Sequence, residues 1–254
     1  EYAKGWRRME REAKASPGDS ITVCDALNQK LVTSFTIPEG SLFQANAKAR
    51  AQRLTAPMAA LKQFLMTDRS YPPVMANVIA LPQFLDFAAT QLRRPGEPLR
   101  VVVLASPLYI DSSVDAACSM QTAFPSDATL TAEPQQSVFG CALKKTILSG
   151  VTVHYAFLNA SFLNDYHQER ITRFWTLYCQ QAGGVLATFC ADAVLAFRRA
   201  KDNIQQPCLA AHLDLADTKI EMRYVSRRST ITSRAVTNDV RRVNTTAELP
   251  NVTT

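Results

Sequence analysis

Apolar positions change period along the chain, and each change marks an element. Residues 1–15 are charged with helical spacing and stop at Ser16-Pro17-Gly18-Asp19. A β-branched run at 20–25 predicts a strand, and 31–38 predicts a second that ends at Pro38; the two are spaced as a hairpin with a longer loop. Over 46–67, Leu54, Met58, Leu61, Phe64 and Leu65 fall on one helical face, and Pro57 should kink or split that helix. Residues 75–81 read as a buried strand, and 82–94 as a helix with Pro82 in its first turn. The run 99–110 is the most continuous apolar stretch and predicts a central parallel strand covered on both faces. A polar stretch, 111–136, separates it from a predicted helix at 137–149.

Val151–Asn159 predicts the next strand. A helix follows, with Asn164 as N-cap and Gly183 as C-cap. Residues 185–190 predict a strand, and Asp192 should cap a last helix over 193–201. A late edge strand is expected at 218–226. From Arg227 the composition is polar and rich in Thr, Ser and Arg, the signature of a disordered tail.

Strands alternating with helices predict an α/β fold: a doubly wound, mostly parallel, Rossmann-like sheet with helices on both faces. Three segments are expected: a basic N-terminal helix at 1–17, an α/β domain at 18–206, and a strand plus basic tail at 207–254. Ligands on such a sheet bind beyond the carboxyl ends of the strands. Those ends fall near Asp25, Leu81-Pro82, Ala105 to Asp111, Asn159 and Cys190.

Composition narrows the chemistry. The 254 residues are 47% hydrophobic and 20% charged, ordinary for a globular chain with a sizeable core. Only 8 glycines occur, and neither phosphate-loop pattern is present. The formal charge of +6 gathers at the two ends, which makes nucleic-acid binding through them conceivable but not favoured, because no aromatic residues interleave the charges. No run of 18 apolar residues occurs, so a membrane contact would require a segment outside this sequence. The six cysteines form no CxxC pair and read as buried reduced thiols, which with the lack of a leader-like start favours an intracellular setting.

Candidate catalytic groups do not converge. G-x-S-x-G is missing, and Ser106 precedes a proline. His154 lies in an alternating strand and reads as half-buried. His167 and Glu169 read as a solvated helix start, Asp86 as a solvent-facing acid, and Phe174, Trp175 and Tyr178 as core. Asp25 and the alternating oxygens of Asp111, Ser112, Ser113 and Asp115 are the polar groups nearest the expected strand ends.

The segments "LRVVVLASPL", "ILSGVTVHYAFLN" and "ITRFWTLYCQQAGGVLATFCADAVLAFRRA" resemble the von Willebrand factor A family over roughly residues 99–202. Gly150-Val151-Thr152-Val153, Gly183-Gly184 and Asp192-Ala193 carry the likeness. It implies a Mg²⁺ site at a D-x-S-x-S motif after the first strand. The matching positions here are Asp25, Leu27 and Gln29, so both hydroxyls are missing and the site is degenerate.

These readings predict a non-catalytic protein–protein interaction domain, a component of a larger assembly, with no cofactor. A protein partner would contact the rim loops Asp25–Lys30 and Leu108–Gln136, through Asp25, Asn28, Gln29, Asp111, Ser112, Ser113 and Asp115. The alternative is a divalent-metal-dependent hydrolase or phosphotransferase, with Mg²⁺ on Asp25 and Asp111 or Asp115.

Overall fold

The computed structural model describes residues 18–37, 47–67, 80–94, 96–110, 119–121, 124–157, 162–215, 220–225 and 231–236. The chain divides into two compact units, Glu1–Pro125 with Thr129–Ala211, and Ser126–Ala128 with His212–Thr254. The predicted N-terminal helix and the strand residues 75–79 lie outside the described residues.

In the larger unit, β1 (Ser20–Asp25) and β2 (Lys30–Thr36) form an antiparallel hairpin that is a sheet of its own. The expected hairpin is present, and its strands stand apart from the parallel sheet. Only residues 26–29 separate the two strands, and a parallel crossover needs a dozen or more. Ser20, Thr22, Ser34 and Thr36 are exposed on one face of the hairpin, with Thr22 and Ser34 hydroxyls 3.0 Å apart, while Ile21, Val23 and Phe35 are half-buried. Helix α1 (Ala47–Met66) packs against β2 and runs unbroken through Pro57, so the expected split does not occur.

Leu81, placed in a strand by its apolar neighbours, instead opens helix α2 (Leu81–Phe87). Pro82 stands in its first turn, where the missing N–H costs nothing. Leu81, Leu85 and Ala88 recur at helical spacing and are buried. The helix continues as a π-helical turn, Ala88–Leu92. Asp86 does not simply face solvent: its carboxylate is half-buried and paired with Lys144.

Strands β3 (Leu99–Ala105), β4 (Val151–Phe157) and β5 (Val185–Cys190) form a three-stranded parallel sheet in that order, flanked by helices. Among the described residues β3 lies at an edge, and β4, buried from Val151 to Ala156, is the central strand. Strand β3 stops before Ser106-Pro107, and the carbonyls there are taken by side chains. The Tyr155 hydroxyl donates to Ser106 O at 2.7 Å, and the Trp175 indole donates to Pro107 O at 2.8 Å.

The predicted helix at 137–149 is a chain of turns. Cys141 N donates to Leu130 O and Ala142 N to Ala132 O, so these backbone donors pair across the fold and not along a helix. A side chain at Gly140 would also sit 2.6 Å from Glu133 O.

Helix α3 (Asp165–Gln181) has its predicted caps. Asn164 accepts from His167 N at 2.8 Å, and Gly183 follows with φ +85°. Its inner face, Ile171, Phe174, Trp175, Leu177 and Tyr178, is fully buried, with Phe139 edge-on to Phe174 and Trp175. Helix α4 (Ala193–Lys201) starts at Asp192, whose carboxylate accepts from Val194 N at 2.8 Å and Leu195 N at 3.2 Å.

Helix α4 covers the face of the sheet that carries His154 and Thr188. Arg199 Nε donates to Thr188 Oγ1 at 3.0 Å, and that oxygen is 3.0 Å from His154 Nδ1. His154 is fully buried, not half-buried as its strand position suggested, and its Nε2 has no hydrogen-bond partner among the described residues. Of the described cysteines, all free, Cys141 and Cys179 are buried, Cys24 and Cys190 half-buried, and Cys208 exposed, so the expectation of uniformly buried thiols is corrected. No described helix is long and apolar enough to cross a membrane.

In the smaller unit, β6 (Ile220–Val225) pairs antiparallel with β7 (Ile231–Val236). The late strand is thus half of a two-stranded sheet, and part of the tail expected to be disordered is its partner. Asp127 accepts from Asp214 N at 2.7 Å within this unit.

Candidate functional site

Asp25, Asn28 and Gln29 come together in the β1–β2 turn. Asp25 Oδ1 accepts from Leu27 N at 3.1 Å, and Oδ2 accepts from the Asn28 side-chain amide at 2.8 Å. Gln29 takes a left-handed backbone with φ +50°. This is an Asx-type turn at the end of a hairpin, with Asp25 oxygens already committed to the local backbone and to Asn28. Asp111, Ser112, Ser113 and Asp115 lie outside the described residues. Among the described residues, no group of three or more His, Cys, Asp or Glu side chains is placed to hold a metal ion.

A different cluster stands at the carboxyl end of the parallel sheet. Phe157, at the end of β4, contacts Phe189 of β5 and Phe162 of the following loop, with ring centroids 5.2 and 5.4 Å apart. That aromatic packing fixes where the chain enters α3. The entry is then tied by two reciprocal bonds: Asn164 accepts from His167 N, and His167 Nδ1 accepts from Leu163 N at 3.2 Å. The pattern is a relative of the capping box, in which the third helical residue reaches back to the segment before the helix. It also overturns the reading of His167 as solvated, because the ring turns back on the backbone and is buried.

The capped entry holds Leu163 and Tyr166 outward; their exposures are 59% and 55%, large for residues of their size. One turn on, Arg170 lies over two rings. Its guanidinium carbon is 5.1 Å from the Tyr166 centroid and 5.3 Å from the Phe124 centroid. The two rings meet edge to face at 6.1 Å. Arg170 Nε donates to the Tyr166 hydroxyl at 3.0 Å. Among the described residues no carboxylate pairs with this guanidinium, although Asp165 and Glu169 are exposed nearby on the same helix.

Tyr and Arg on an otherwise polar helix start, with an exposed Leu just before the helix, have the composition of an interface anchor. An exposed cation–π contact contributes about 0.5–1 kcal/mol, so the rings hold the guanidinium in place without burying it. Tyr166 and Arg170 are four residues apart, which sequence spacing alone places on one helical face. Phe124 arrives from a distant loop, and no local signal pairs it with them.

Compared with protein-family models, curated proteins and solved structures, the chain matches none of them.

Proposed function

We propose that this chain is a non-catalytic protein–protein interaction domain that binds its partner through the rim around the start of α3. The observation that carries the proposal is the pair of large exposed residues Leu163 and Tyr166 at one helix start, with the half-buried Arg170 lying over the Tyr166 and Phe124 rings and the Asn164–His167 cap holding the entry. Apolar and aromatic groups cost solubility when exposed, and a folded surface that displays them together with an unpaired Arg fits recognition of another protein. The turn at Asp25–Lys30 and the loop Leu108–Gln136 stay in the proposal as further contact segments.

The same reading takes the domain as von Willebrand A-like and doubly wound, with a degenerate metal site. Its support is the parallel order β3-β4-β5, with Gly150-Val151-Thr152-Val153 opening β4, Gly183-Gly184 closing α3 and Asp192 starting α4. Asp25 serves its own turn. Within this reading the chain works as one component of a larger assembly.

Affinity purification of the full chain from cells that express it tests the proposal. Leu163→Asp and Tyr166→Ala should lose the partners that wild type recovers, while Leu143→Asp, at an exposed leucine elsewhere, should keep them. Equal recovery by all three variants would remove the α3 rim from the account.

A further inference from the structure

Arg170 is held unusually well for a surface arginine. Two rings flank its guanidinium and its Nε is engaged by Tyr166, so among the described residues its two terminal nitrogens have no protein acceptor. A guanidinium presents those nitrogens as a planar fork that matches a carboxylate with two parallel hydrogen bonds. Most surface arginines must give up side-chain entropy to make such a pair. Here the stacking and the Tyr166 bond have already restrained the side chain, so a carboxylate meets a fork that needs little further ordering. Leu163 and Tyr166 are the large exposed apolar and aromatic residues of the same helix start.

We infer that Arg170 is the specificity residue of the α3 rim and that it accepts the carboxylate of an acidic side chain on the partner protein, next to an apolar residue that rests on Leu163 and Tyr166. The inference rests on the proposal that this rim is the interaction surface. Charge complementarity selects the occupant: the guanidinium has no carboxylate partner among the described residues, although the exposed Asp165 and Glu169 stand on the same helix, so its fork is left for a carboxylate from outside the domain. Lysine at this position would keep the charge but lose both the fork and the ring stacking, so the site should distinguish the two.

The test uses heptapeptides selected from an unbiased display library against the full chain. Selected binders should carry Asp or Glu beside an aliphatic or aromatic residue. Changing that Asp or Glu to its amide should weaken Kd about tenfold, and Arg170→Lys should weaken the acidic peptide by a similar factor. The two changes together should cost little more than either alone. A thermal midpoint for Arg170→Lys equal to wild type shows that the fold is intact. Binders that are lost with Tyr166→Ala, yet keep Kd within twofold on Arg170→Lys and on amidation, would overturn the carboxylate inference and leave the surface standing. Binders indifferent to Tyr166→Ala, or a library that yields none, would overturn both.

Discussion

The Thr188 hydroxyl lies between two side chains: it accepts from Arg199 Nε at 3.0 Å and reaches His154 Nδ1 at 3.0 Å. The hydroxyl oxygen has two lone pairs, so it can donate onward to a bare Nδ1 or accept from a protonated one. Burial, with Arg199 and Arg100 nearby, lowers the His154 pKa to about 4. The folded pKa is therefore below the unfolded value of 6.5. Between those values the unfolded chain binds the extra proton, so stability is full above about pH 6.5 and is lost as pH falls toward 4. The loss should be roughly 2–3 kcal/mol. Urea unfolding of wild type and His154→Gln at pH 7, 5.5 and 4.5 checks it: the wild-type excess slope should vanish in the variant.

Gly183 combines φ +85° with a close backbone approach, since an added Cβ would lie 2.6 Å from Lys145 O. Gly183→Ala meets both the left-handed penalty and a carbonyl that is part of the turn 141–149. The expected destabilisation is about 2–3 kcal/mol. Gly150→Ala has φ +75° and open space around its Cβ, so it should cost only the backbone term, about 1 kcal/mol. Chemical denaturation of the two variants side by side measures the difference.

Lys144 pairs with Asp86 Oδ2 between the turn segment and α2, while Asp86 Oδ1 is buried without a hydrogen-bond partner among the described residues. Removing one member of such a pair strands the other in a poorly solvated place. Lys144→Met should therefore cost about 2 kcal/mol, and adding Asp86→Leu should restore part of it. A double-mutant cycle on unfolding free energy should give a coupling of about 1 kcal/mol or more. Strict additivity would mean that the pair is an incidental surface contact.

What was legible in the sequence was local. Asn164, Asp192 and Gly183 announce the ends of α3 and α4 because a cap is a bond between neighbours. The stripe Phe174, Trp175 and Tyr178 announces its own burial. The failures are nonlocal. The helical pattern at 137–149 loses to pairing with Leu130 and Ala132, and the apolar run into Leu81 is taken up by a helix start. The 99–110 run promised a central strand, but the burial on both faces belongs to β4. At the rim, Tyr166 and Arg170 share a helix face by spacing alone, yet their significance depends on Phe124 and on a buried His167, and neither follows from residue order.

The most direct test of the central claim, that the α3 rim is where this domain meets its partner, is photo-crosslinking from a benzophenone amino acid placed at Leu163, with one at Leu143 as control. Position 163 should give a discrete protein adduct that disappears with Tyr166→Ala, and position 143 none of that mass. An adduct from 163 that survives Tyr166→Ala, or equal adducts from both positions, would contradict it.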